Sequence, residues 1–209
     1  MTRVVQRRAA LVLMVCSLLG CVDCAAAQSA PQTGAEAFIL MDAGSGRVLT
    51  GKNTEQELAI ASTTKIMTAL VALETGNLSD KVTVKQNHLK VGSSMYLRAS
   101  EVLTLEELLY GLLLPSGNDA AYVTAAGAAR YATGNRDMSG RDAVDYFMAK
   151  VNEYAVKIGC TGTHFTVPDG LAYEGHYTTA DDLVIIAEKA LENPVISRCA
   201  ALLTDSVKY

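Results

Sequence analysis

Between Ile66 and Leu73 the chain reads Ile-Met-Thr-Ala-Leu-Val-Ala-Leu, with Thr68 its one polar residue. A helix built from it has no face to offer water, and a helix apolar on every side belongs in the middle of a domain. Ser62-Thr63-Thr64-Lys65 leads into this segment and sets a lysine at the first turn of a helix with no wet side. Ser62 and Lys65 stand three apart, so their side chains share a face. A serine hydroxyl is a weak nucleophile until a base takes its proton, and a lysine made neutral by burial or a second cation can be that base. Backbone N–H groups at the helix start can stabilise negative charge developing on an attacked carbonyl.

The segments around this helix set an order of elements. Glu36 to Asp42 reads as a buried strand, followed by a turn through Ala43-Gly44-Ser45-Gly46 and a second strand from Arg47 to Thr50, together an opening hairpin. After Val82-Thr83-Val84 and a turn at Gly92-Ser93-Ser94, Thr104-Leu105-Glu106-Glu107 is a capping box for a helix from Leu105 to Leu114 that stops at Pro115. A turn at Ser116-Gly117-Asn118 leads into an Ala-rich helix from Asp119 to about Tyr131. Val144, Phe147, Met148, Val151, Ala155 and Ile158 recur at helical spacing over Arg141 to Ile158, with Gly159 as the stop. Thr179 is the expected N-cap of a last helix ending near Leu191, with Asp181 and Asp182 in the first turn where acidic groups suit the helix dipole.

The N-terminus reads differently. Arg3, Arg7 and Arg8 precede an apolar run from Ala9 to Gly20, and Ala25-Ala26-Ala27 follows. That order is a secretory signal peptide over 1–27, with 28–34 a polar linker and 35–209 a single domain. The run falls short of the roughly 20 residues a spanning helix needs. Leu18-Leu19-Gly20-Cys21 also fits a lipoprotein cleavage box, so acylation at Cys21 competes with cleavage after Ala27, and membrane attachment stays open. The whole chain carries 18 basic and 22 acidic residues; cleavage after Ala27 removes three of the first and one of the second, leaving a formal charge of −6. An acidic mature protein is a poor partner for nucleic acid. Cys160 and Cys199 would then be the remaining cysteines, either a disulfide permitted by export or two buried small apolar residues.

A Ser-x-x-Lys spacing alone arises by chance about once in a chain of this size. Its weight comes from the buried helix and from Ser116-Gly117-Asn118, which offers a hydroxyl and an amide to Lys65 and to a substrate amide, although the same residues also make a good turn and cap. On these residues the chain resembles the low-molecular-mass penicillin-binding proteins, the serine-type D-alanyl-D-alanine carboxypeptidases of peptidase family S11. The resemblance runs over about residues 35 to 209. It takes in Phe38 to Thr50, Ala61 to Glu74, Gly92 to Leu97, Leu103 to Ala121, Pro168-Asp169-Gly170-Leu171 and His176-Tyr177-Thr178-Thr179-Ala180.

The resemblance implies an α/β (α+β) β-lactamase/transpeptidase-like fold, with a helical cluster against an antiparallel sheet. It implies Ser62 as the acylated nucleophile, Lys65 as its proton acceptor, Ser116 as a proton relay and Asn118 as a substrate-binding group. The implied partners are peptidoglycan stem peptides ending in D-Ala-D-Ala and β-lactams as covalent inhibitors, at an extracytoplasmic site; no cofactor or metal is expected. His164 and His176 have no metal-ligand spacing and are expected to be structural. The family's third motif, Lys-Thr-Gly, does not occur in the sequence, and Lys208 is expected to fall ahead of it, so strands of the sheet are expected beyond Tyr209. A serine β-lactamase is the less favoured relative, because no Glu-x-x-Leu-Asn follows Asn118. A truncated, non-catalytic wall-binding or penicillin-binding fragment is the alternative of another class.

Overall fold

The computed structural model describes residues 32–171 and 174–202. The expected signal peptide and Cys21 lie outside the described residues. The chain divides after Gly34 into two units, and the second, from Ala35 on, carries Ser62, Lys65, Ser116 and Asn118.

The central helix, α1 (Thr64–Thr75), has Met67, Ala69, Leu70, Val71 and Ala72 all buried, as its composition requires. Around it pack α2 (Leu105–Leu113), α3 (Asn118–Thr133), α4 (Gly140–Ile158) and α5 (Ala180–Glu192). One further helix, α6 (Pro194–Ala200), follows the one expected to be last and folds back on α5 and α2. The signal for it is local: Asn193 Oδ1 accepts from the N–H groups of Val195 and Ile196, and proline at the first helical position gives up a donor that would be unpaired anyway.

Helix ends follow local chemistry. Thr104 Oγ1 accepts from the Glu107 N–H at 3.2 Å, and the Glu107 carboxylate accepts from the Thr104 N–H at 2.7 Å, closing the capping box. Thr179 Oγ1 accepts from the Asp182 N–H, and Gly159 ends α4 in the left-handed region. The alanines of α3 allow a close approach to strand β3 (Lys81–Thr83): a Cβ at Gly127 would stand 2.5 Å from a Val82 methyl. Strand β3 pairs antiparallel with β4 (Val102–Thr104).

The opening hairpin forms from β1 (Phe38–Met41) and β2 (Val48–Lys52), antiparallel with a bulge at Leu40/Met41. It corrects the expectation of a buried strand, because Leu40, Val48 and Leu49 are each about half exposed. Among the described residues the two strands pair only with each other, and α5 packs against β1, so much of the ribbon stays open. Cys160 and Cys199 are both buried and are not joined in a disulfide, the second of the two readings left open by the sequence.

Candidate active site

Ser62 lies in a single 3-10 turn, Ala61–Thr63, that runs into α1 without a break, so the serine stands just ahead of the helix and not inside its first turn. Ala61 adopts φ +46, an uncommon conformation for a residue with a Cβ, and the turn leaves Ser62 exposed. Lys65 is by contrast only 2% exposed. Its Nζ donates to Ser62 Oγ, Asn118 Oδ1 and the Asp169 carbonyl oxygen, each at 2.9 Å. Three donors meet three acceptors, which is how a buried ammonium is tolerated. Burial pushes the Lys65 amine below its ordinary value, and the nearby Asp169 charge pulls it back up.

Asn118 is the first residue of α3, held there because its own N–H donates to the Ser93 carbonyl. Lys65 has no acceptor to offer, so Asn118 must turn its oxygen toward it, and the amide nitrogen then donates to the Val91 carbonyl at 2.8 Å. Gly92 is at φ +101, and a Cβ there would stand 2.7 Å from that nitrogen. The neighbouring Asp119 carboxylate accepts from the Ser94 hydroxyl and from the N–H groups of Met95 and Leu97, which pins the 93–97 segment to the start of α3. Ser116 is half-buried at φ +58, and its hydroxyl has no hydrogen-bond partner among the described residues. The structure therefore brings Ser62, Lys65 and Asn118 together, and leaves Ser116 outside their hydrogen-bond network.

A loop through 164–171 closes the far side of Lys65. Thr68 Oγ1 donates to the Pro168 carbonyl, and Gly170, at φ +80, lies so close to the 3-10 turn of Ser62 that a Cβ would sit 1.8 Å from the Ala61 carbonyl oxygen. His176 joins the same support. Its Nδ1 accepts from the Thr166 N–H, which leaves the proton on Nε2 to donate to Thr64 Oγ1 at 2.8 Å. Burial keeps this imidazole below its usual value against the pull of Asp169. His164 is exposed and bonds the Gly175 carbonyl, and its main chain pairs with that of Tyr177, so both histidines have structural duties. Asp182 does more than face the helix dipole: it accepts from the N–H groups of Thr161 and Gly162 and from the Thr163 hydroxyl. Among the described residues no cluster of three or more His, Cys, Asp or Glu could hold a metal ion.

A serine hydroxyl on the surface, bonded to a buried lysine at the head of an apolar helix and flanked by an asparagine from a second helix, matches the pattern of the penicillin-binding and β-lactamase-like class. The chain belongs to the Peptidase S11 family, D-alanyl-D-alanine carboxypeptidase, whose profile matches residues 24–208. It is 33% identical over 180 residues to the D-alanyl-D-alanine carboxypeptidase DacF of Bacillus subtilis, covering 83% of this chain and 43% of that protein. It is 34% identical over 188 residues to a D-alanyl-D-alanine carboxypeptidase of a Streptomyces species, covering 87% of this chain and 62% of that protein. The crystal structure of the Streptomyces K15 DD-transpeptidase superposes with a TM-score of 0.72 at 33% identity, over 81% of this chain and 65% of that one. The chain thus spans about half the length of the curated relatives it matches.

Proposed function

We propose that this chain carries the serine-nucleophile part of a D-alanyl-D-alanine carboxypeptidase, acting on peptidoglycan stem peptides through an acyl-enzyme at Ser62. The observation that carries the reading is the 2.9 Å bond between the buried Lys65 Nζ and the exposed Ser62 Oγ. Of the three partners of Lys65, Asn118 Oδ1 and the Asp169 carbonyl only accept. When Lys65 gives up a proton its lone pair must face Ser62, the one partner able to donate. Ser62 Oγ then attacks the carbonyl carbon of the penultimate D-alanine as its proton passes to Nζ. The C–N bond breaks, the terminal D-alanine leaves with that proton, and the ester on Ser62 is hydrolysed by water in the reverse order of proton movements. Asn118 keeps one amide hydrogen beyond its bond to Val91 and can hold a substrate carbonyl, and the unpartnered Ser116 hydroxyl is the candidate relay to the leaving nitrogen.

A β-lactam presents a strained amide to the same oxygen and acylates it. The family and the signal-like sequence of residues 1–27 support an exported protein working at the cell envelope, where trimming stem peptides bears on cell shape. The test is to incubate the purified chain with benzylpenicillin and read the intact mass. A penicilloyl adduct that disappears in Ser62→Ala supports the reading; a folded chain that takes up no penicillin sinks it for this polypeptide.

A further inference from the structure

We propose that Asp169 is a positioning residue of the Ser62 site: its main-chain carbonyl fixes the Lys65 ammonium, and its buried carboxylate is the counter-charge that holds Lys65 in the ammonium form in the resting site. A lysine taken almost wholly out of water loses several kcal/mol of hydration unless an opposite charge is near. Among the described residues no carboxylate lies within ion-pair distance of Lys65, so the compensation comes from three neutral acceptors and from charge acting at longer range.

The Asp169 side chain is 1% exposed. One of its oxygens accepts from the Leu171 N–H at 3.2 Å, while the other, Oδ2, is buried with no hydrogen-bond partner among the described residues. A buried carboxylate oxygen left unpaired is costly, and an asparagine could make the same bond to Leu171 without burying a charge. The negative charge itself is what needs a reason. The loop that carries it is fixed on both sides, by Thr68 to the Pro168 carbonyl and by Gly170 against Ala61. The carboxylate therefore cannot swing out to water without breaking the packing behind the nucleophile turn.

Among the residues that bond Lys65, or that adjoin or bond its immediate neighbours, the titratable ones are Asp169, His176 and, at the start of α3, Asp119. The oxygens of Asp119 are taken up by Ser94, Met95, Leu97 and Ala120. His176 is neutral, held between Thr166 and Thr64. Among the described residues it is the charge of Asp169 that opposes burial at Lys65, as it does at His176. In chemical terms Asp169 restrains the base: its charge offsets part of the burial that favours the neutral amine, and its carbonyl keeps Nζ in register with Ser62.

The catalytic meaning rests on the carboxypeptidase reading, so the deciding measurement is independent of activity. In the full chain labelled with 13C-lysine, the Lys65 Cε signal, identified by its loss in Lys65→Met, is followed against pH. In Asp169→Asn the Lys65 midpoint should fall by about one unit, and Asp169→Glu should restore most of it. A folded Asp169→Asn chain with an unmoved midpoint overturns the proposal. Should that variant fail to fold, Asp169→Ser, which also removes the charge, is titrated in its place, and an unmoved Lys65 midpoint there is equally fatal. Where penicillin acylates Ser62, Asp169→Asn should react about tenfold faster on the rising limb of the pH profile with the plateau unchanged, as a one-unit shift requires. A merely structural role would lower the plateau and leave the limb in place. Failure to acylate at all would count against the carboxypeptidase reading and leave the Lys65 titration as it stands.

Discussion

Gly170 meets two demands at once. Its φ of +80 lies where side chains are disfavoured, and the Ala61 carbonyl oxygen occupies the space a Cβ would need. The Thr64 hydroxyl oxygen is also within 2.7 Å of that point. The obstacles are a backbone carbonyl and a residue already bonded to His176, so neither can move aside cheaply. Gly170→Ala is therefore expected to cost roughly 2–4 kcal/mol, from backbone strain and overpacking together. It should also lift the Asp169 carbonyl away from Lys65. Urea unfolding checks the first effect, and penicillin acylation of the folded fraction checks the second; a variant of ordinary stability and reactivity would show that the nucleophile turn does not depend on this contact. The site residues divide in legibility along the same line. Ser62, Lys65 and Asn118 can be read because side-chain chemistry at fixed spacing carries their roles. The third acceptor of Lys65 is a main-chain carbonyl 104 residues away, and no residue type announces a carbonyl.

Among the elements, the 3-10 turn Gln86–His88 carries an unusual load. His88 is wholly buried against α3 with its Nε2 unpartnered, and burial, reinforced by Arg130, Lys85 and Lys90, pushes its pKa down to about 4. An unfolded histidine titrates near 6.5, so protons favour the unfolded chain between these values. The contribution of His88 is fully present above about pH 6.5 and is lost as the pH falls toward 4, a change of roughly 3 kcal/mol. His176, also depressed by burial, adds loss of the same sign. Urea midpoints at pH 7.5 and pH 4.5 should show the fall, and His88→Gln should remove most of it; an unchanged pH dependence in that variant would place the sensitivity elsewhere. None of this is visible in the sequence, since a histidine in the stretch Lys85-Gln86-Asn87-His88-Leu89-Lys90 looks like a surface residue until Arg130 is folded near it. Helix boundaries are legible because caps are local: Thr104 with Glu107, Thr179 and Gly159 work within one turn. Asp119 and Asp182 stand in the sequence only as acids at helix starts, because their partners at 94–97 and 161–163 come from distant loops.

At the scale of the folded unit, the structure is held from its helices outward. Helix α1 is enclosed by α2 to α5, and its apolar residues together with Ala120, Ala125, Phe147 and Ile186 form one continuous core. The hairpin β1–β2 stands apart from that core, with Leu40, Val48 and Leu49 about half exposed and no further strand beside it among the described residues. A two-stranded ribbon has little stability of its own in water, and the packing of β1 on α5 covers only part of it. The sequence points to a buried first strand because Phe38 to Met41 is apolar, yet hydrophobicity records what a strand can bury and not what lies against it. Native-state hydrogen exchange should therefore separate two regimes. Amides of α1 and α3 should exchange only through global unfolding and follow denaturant with the full slope. Those of β1 and β2 should exchange through local opening, several kcal/mol easier and nearly independent of denaturant. Ser62 and Lys65 lie on the protected side of this division, so their hydrogen bond should persist while the hairpin opens. Equal protection of hairpin and helices would mean that the ribbon is bound into the core far more firmly than its exposed leucines and valine imply.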